Sequence, residues 1–134
     1  KKTMAVIGIT DLPIVDSEAE ATIYGRATGD GAGVISSFHF QEPGNRVFLS
    51  TAVHETCHVF GLDHCDYFKC VMNPECDAEE MDSASLLLCP ICLAKLHYCM
   101  KFNVKERYDA MRIALQKLGL SQEAKAIADL RLLE

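Results

Sequence analysis

The spacing of apolar residues changes several times along the chain, and each change marks an element. Residues 4–9 (M-A-V-I-G-I) form a short, β-branched apolar run that predicts a strand buried on both faces. Asp11-Leu12-Pro13 ends it. Residues 14–21 are acidic and fit a turn or a short helix, and residues 21–26 fit another short strand. Thr28-Gly29-Asp30-Gly31-Ala32-Gly33 follows, rich in glycine. A phosphate-cradling loop would also need a lysine and a following helix, so a plain turn is expected there. Residues 33–40 (G-V-I-S-S-F-H-F) alternate in part and predict a strand, with a turn at residues 42–45.

From Arg46 onward the period lengthens to that of helices. Residues 46–60 predict one, with residues 46–49 open to an extended form and Ser50 or Thr51 able to cap it. Val53, Cys57 and Phe60 fall on the faces expected to pack on the sheet. Residues 77–88 predict a second helix, capped by Asp77, with acids in the first turn where they favour the helix dipole. Pro90 suits the start of a third, continuing through residues 93–100, because proline's missing N–H costs nothing there. Asn103-Val104-Lys105-Glu106 resembles a capping box, and Val104, Tyr108, Met111, Leu115 and Leu118 then recur at helical steps. Gly119 ends that helix and Ser121 caps another, in which Ala124, Ile127 and Leu130 share a face. The pair predicts a helical hairpin packed on the domain. Its stripe can be core or a partner surface, and core is the expected role.

One stretch carries chemistry. Residues 54–64 read H-E-x-x-H-x-x-G-x-x-H. Four apart on a helix, His54 and His58 stand one turn apart on one face and can hold a single metal ion. Glu55 beside them is placed to take a proton from a metal-activated water rather than to bind the metal. Gly61 can adopt the positive φ that a sharp helix end requires, so the chain can turn and return His64 as a third ligand. Three histidines leave a fourth position open, as in a catalytic rather than a structural zinc site.

The pattern extends as H-E-x-x-H-x-x-G-x3-C-x4-C-x-M-x16-C-x2-C, through Cys65, Cys70, Met72, Cys89 and Cys92. In this the chain resembles the archaemetzincins, a family of the metzincin clan of zinc metallopeptidases. The match covers residues 54–92 closely and the flanks loosely. The resemblance implies an α+β, zincin-like fold: a small mixed β-sheet packed on an active-site helix, with a mainly helical C-terminal part stapled by a four-cysteine zinc site. It implies one catalytic domain over residues 1–134, with subdomains 1–61 and 62–134, and a strand and helix upstream of Met4. His54, His58 and His64 are then the catalytic zinc ligands and Glu55 the general base. Met72 is the methionine of the Met-turn beneath the metal. Cys65, Cys70, Cys89 and Cys92 bind a second, structural zinc. The strand at residues 33–40 becomes the sheet edge that pairs with an extended peptide or protein substrate. The rival reading is a catalytically weak or inactive, zinc-stabilised interaction module (a pseudopeptidase), against which Glu55 and the three histidines weigh, since a pure scaffold has no use for Glu55.

Several neighbours invite sharper roles than they are expected to have. His39 is a strand histidine before it is a fourth ligand. Cys57 is a small buried hydrophobe rather than a nucleophile, because histidines committed to zinc have no nitrogen left to activate a thiol. Asp63 can orient a ligand histidine or be a solvated loop residue, and both remain open. Tyr67 and Phe68 are expected to cover the structural zinc, and Cys76 to be free. His97 and Cys99 add nothing to four thiolates that already complete a tetrahedron.

Composition narrows the setting. With 134 residues, 49% of them hydrophobic, the chain can bury a core. A net charge of −6 disfavours a nucleic-acid partner, since such affinity comes largely from Lys and Arg on phosphates. No apolar run approaches the ~20 residues that span a bilayer, and no signal-peptide pattern opens the chain, so no membrane partner is expected. Seven cysteines could staple a secreted domain, but their odd count and paired spacing favour thiolates on metal in a reducing compartment. The expectation is a cytoplasmic monomer.

Overall fold

The computed structural model describes residues 4–40, 46–74 and 85–130. These fall into two compact units, Lys1–Leu96 and His97–Glu134. Among the described residues no helix is long and apolar enough to cross a membrane.

The first unit is built on a three-stranded sheet of order β1-β5-β4, from β1 (Val6–Thr10), β4 (Gly25–Thr28) and β5 (Ala32–Ser36). β1 runs parallel to β5, with Val6 opposite Ala32 and Thr10 opposite Ser36. β4 runs antiparallel to β5, with Gly25 opposite Ile35 and Thr28 opposite Ala32. The glycine-rich turn joins β4 to β5, as its composition predicts. Helix α1 (Arg46–Val59) packs on β4 and β5, and Ile35, Cys57, Val59 and Leu62 are buried with Val71, Met72, Leu86 and Leu88 in the core.

Four expectations are corrected. β1 is an edge strand, not a strand buried on both faces: Val6 and Ile9 are 62% and 69% exposed. β5 is the central strand rather than the edge, and it ends at Ser36 rather than Phe40. The acidic stretch after Pro13 is a hairpin of β2 (Ile14–Asp16) and β3 (Ala21–Ile23). Its acids supply turn chemistry, because Asp16 Oδ1 accepts the N–H groups of Glu18 and Ala19, while its other oxygen pairs with Arg26. Finally, α1 is helical from Arg46, so Ser50 and Thr51 lie inside it, buried, and cap nothing.

The expected helix at residues 77–88 falls mostly outside the described residues; its described end, residues 85–88, is not helical. Helix α2 (Pro90–Met100) begins at the proline as predicted. In the second unit, α3 (Val104–Lys117) is capped by Asn103, whose side chain accepts the Glu106 N–H at 3.1 Å. α3 packs against α4 (Ser121–Leu130), with Leu115, Ala124 and Ile127 buried. Leu118 and Leu130 stay largely exposed at the ends of the predicted stripes.

Candidate metal centres and catalytic cleft

Helix α1 delivers the first two histidines, and its ending delivers the third. His54 and His58 stand one turn apart, ring centroids 4.6 Å from each other. Gly61, at φ 83°, lets the helix close with Gly61 N–H donating to His58 O at 2.8 Å and Leu62 N–H to Cys57 O at 3.1 Å. The chain reverses, and the ring of His64 comes to 4.8 Å from that of His58 and 5.2 Å from that of His54. One ligand atom from each of the three lies within 4.8 Å of the others.

The tautomers follow from the partners. His54 Nδ1 lies 2.7 Å from Val71 O, and His58 Nδ1 lies 2.6 Å from Leu62 O. A carbonyl can only accept, so each Nδ1 carries the proton and each Nε2 presents a bare lone pair. Those two Nε2 atoms face each other at 2.9 Å. Burial holds His54 down to about 4, so the neutral ring persists near neutral pH. Two lone pairs at that distance repel unless a cation sits between them. Zn–N bonds of about 2.0–2.1 Å put tetrahedral nitrogens roughly 3.3 Å apart, so a small opening of the pair fits the metal. The donor set therefore fits zinc.

Glu55 faces the same cleft, a space of about 390 Å³ lined by β4, the three histidines and the turn at Gly61, Leu62 and Asp63. Its side chain lies against Gly25, where an added Cβ would come within 2.7 Å of Glu55 Cγ. Burial pushes its carboxyl up, opposed to a smaller extent by the electrostatic influence of His58, the Ala27 backbone and Arg26. β4, an edge strand among the described residues, thus lines the cleft in the place expected of β5.

The four cysteines Cys65, Cys70, Cys89 and Cys92 form a second group, all buried, their sulfurs within 4.8 Å of one another. Cys65 Sγ and Cys89 Sγ are 3.9 Å apart, close to the roughly 3.8 Å edge of a tetrahedron with Zn–S bonds of about 2.3 Å. Backbone amides point at the sulfurs: Cys89 N–H donates to Cys70 Sγ at 3.2 Å and Cys92 N–H to Cys89 Sγ at 3.4 Å. The Tyr67 and Phe68 amides lower the Cys65 thiol, whereas burial pushes Cys70 and Cys92 up. Crowded thiols of this kind become thiolates together only around a cation, and this set fits a structural zinc.

Other expectations sort themselves by position. Tyr67 is 88% exposed, so at Cys65 it is its backbone, with that of Phe68, that serves the sulfur. Asp63 is exposed on the cleft rim and does not orient His54 or His58, whose Nδ1 partners are carbonyls. His39 packs edge-on against Tyr24 and Phe38 and belongs to neither ligand group, and the same holds for the exposed His97 and Cys99. Cys57 is buried, as expected of a small hydrophobe. Cys76 lies outside the described residues. Met72 is fully buried, and its carbonyl accepts the Cys65 N–H at 2.8 Å.

Asn73 escaped the sequence reading. Its Oδ1 accepts the Cys70 N–H at 2.8 Å, and its Nδ2 donates to the carbonyls of Cys65 and Phe68. An amide side chain just after a C-x4-C pair is the signal in the sequence for such a loop closure.

Comparison with known proteins bears on both centres. The family model described as Peptidase family M54 matches residues 1–98. Archaemetzincin-2 of Homo sapiens is 46% identical over 61 residues, which are 46% of this chain and 17% of that protein. Archaemetzincin-1 of Mus musculus is 42% identical over 55 residues, 41% of this chain and 11% of that protein. The crystal structure of archaemetzincin from Archaeoglobus fulgidus, complexed with malonate, matches with a TM-score of 0.61 and 27% identity over 71% of this chain and 63% of that one. Archaemetzincin from Methanopyrus kandleri shares the fold at a TM-score of 0.66 and 24% identity, over 76% of this chain and 59% of that one. The matched stretch is thus under a fifth of the curated relatives' length.

Proposed function

The chain belongs to peptidase family M54, and on that premise we propose that it is a zinc-dependent peptidase whose general base is Glu55. The observation that carries this reading is the pair of proton-free Nε2 atoms of His54 and His58, aimed at each other beside the half-buried carboxyl of Glu55. Zinc held by His54, His58 and His64 would supply Lewis-acid activation of a water and of the scissile carbonyl, lowering the pKa of the water to about 7.

The chain's own groups do the rest. Val71 O and Leu62 O fix the His54 and His58 rings and keep both Nε2 atoms free. Glu55 accepts a proton at its carboxylate and returns it to the leaving amine, and its raised pKa suits a group that must both take and give. Gly25 leaves room for that carboxylate. The free edge of β4 offers backbone groups to an extended peptide or protein substrate by strand addition. Met72 serves as the Met-turn residue, and Cys65, Cys70, Cys89 and Cys92 hold a structural zinc, which needs a reducing compartment to keep its thiolates.

The test is peptide cleavage by zinc-loaded protein, with Glu55→Gln as the comparison. Loss of a general base costs about 10²–10⁴ in rate. Glu55→Gln should therefore keep wild-type metal content and lose nearly all turnover. Full turnover in that variant sinks the assignment of Glu55. Zinc-loaded wild type without any peptide cleavage favours the interaction module instead.

A further inference from the structure

We propose that Asn73 is a positioning residue for the histidine site, transmitting the state of the four-cysteine site to the orientation of His54. The inference rests on the reading of the histidine triad as a metal centre. The two ligand groups share a single loop. Cys65 directly follows His64, and Cys70, Val71 and Met72 return past it fully or almost fully buried.

Within this loop each of three consecutive residues does a different job. Cys70 contributes its sulfur to the four-cysteine group. Val71 turns its carbonyl to His54 Nδ1 at 2.7 Å, while its own N–H donates to Leu87 O at 2.8 Å. Met72 O accepts the Cys65 N–H at 2.8 Å. The Val71 carbonyl lies in the short backbone segment between Cys70 and Asn73, and the Asn73 side chain holds the Cys70 end of that segment through the Cys70 N–H. Asn73 Oδ1 accepts the Cys70 N–H, its Nδ2 donates to the carbonyls of Cys65 and Phe68, and its main-chain N–H donates to Cys70 O at 3.1 Å. One side chain closes the C-x4-C loop across its full width. Thiolates gathered around a metal would hold Cys65 and Cys70 in place, and Asn73 ties that arrangement to the carbonyl that orients His54.

Groups that orient a metal ligand influence affinity strongly, typically by about ten- to hundredfold. The experiment uses the full chain with zinc already in the four-cysteine site and adds cobalt(II) to the histidine site. Cobalt affinity is read by chelator competition, and ligand geometry by the cobalt d–d bands. Asn73→Asp keeps the acceptor for Cys70 N–H and loses the bonds donated to Cys65 O and Phe68 O; Asn73→Ala loses all three side-chain bonds and keeps the main-chain bond to Cys70 O. With zinc content and far-UV circular dichroism unchanged, cobalt affinity should fall by about tenfold in Asn73→Asp and by up to about a hundredfold in Asn73→Ala, and the d–d bands should shift. Unchanged affinity and bands in both variants overturn the proposal. Loss of zinc and fold in both overturns it as well, since Asn73 would then serve the fold alone. Wild-type protein that takes up no cobalt at the triad refutes the metal-site reading itself, an outcome distinct from either.

Discussion

A methyl group at position 25 would strike the proposed general base. An ideal Cβ on Gly25 falls 2.7 Å from Glu55 Cγ, 3.2 Å from its Cδ and 3.1 Å from the backbone oxygen of Val34. Carbon atoms in contact sit about 3.5–4.0 Å apart, so Glu55 must retreat by roughly 1 Å. The Val34 oxygen belongs to the sheet and cannot yield, so the displacement falls on the flexible side chain. That retreat moves the carboxylate out of its place beside β4 in the cleft. A misplacement of about 1 Å in a reacting group can cost about 10²-fold in rate, or roughly 2.7 kcal/mol of barrier. The cost to folding should be smaller, within the range of about 1–3 kcal/mol for overpacking. Gly25→Ala should thus lower kcat about a hundredfold, with zinc content intact and Tm reduced by a few degrees. Gly8→Ala is the control, because its Cβ would meet only ordinary contacts at 3.9 Å. In a Glu55→Gln background the same methyl should cost almost nothing further, since the group it displaces no longer moves a proton. Wild-type kcat in Gly25→Ala, or an undiminished loss in the Glu55→Gln background, would refute the argument.

Three further outcomes test the frame around the site. Cys89→Ser with Cys92→Ser removes half of the four-cysteine group. Structural zinc is worth about 10–16 kcal/mol in small zinc peptides, as much as the net stability of a typical domain, so the double variant should show one zinc fewer and a collapsed thermal transition. Gly61→Ala meets no atom within 4 Å, yet φ is 83°, so denaturant unfolding should register a loss of about 1–2 kcal/mol from backbone strain alone. Asn103→Ala deletes the cap of α3 and should cost about 1 kcal/mol in the same measurement.

The histidine group was legible because fixed offsets on a helix dictate which rings can converge, and the joining of the two cysteine pairs into one group was legible through the resemblance to the archaemetzincin motif. Helix starts at Pro90 and Asn103 were legible for a similar reason, since both satisfy or dispense with backbone N–H groups locally. What escaped depends on neighbours distant in sequence. An apolar run such as V-I-G-I cannot say whether another strand covers it, and β1 proves to be an edge with Val6 and Ile9 exposed. The hairpin of β2 and β3 has three-residue strands, too short for a period of two to register. The exchange of β4 for β5 at the cleft is a matter of strand order, which composition does not encode. The groups orienting His54 and His58 are main-chain carbonyls, so no residue type announces them, and Asp63 drew the attention that belonged to Val71 and Leu62.

A metal ion held by the histidine triad is the central requirement of the proposed chemistry. Native mass spectrometry with elemental analysis, on wild type and His58→Ala side by side, tests this most directly. Two zinc ions per wild-type chain, one for each ligand group, falling to one in the variant, is the predicted result. A single zinc in both proteins, lost only when the cysteines are changed, would place the metal in the four-cysteine site alone and contradict the proposed catalytic centre.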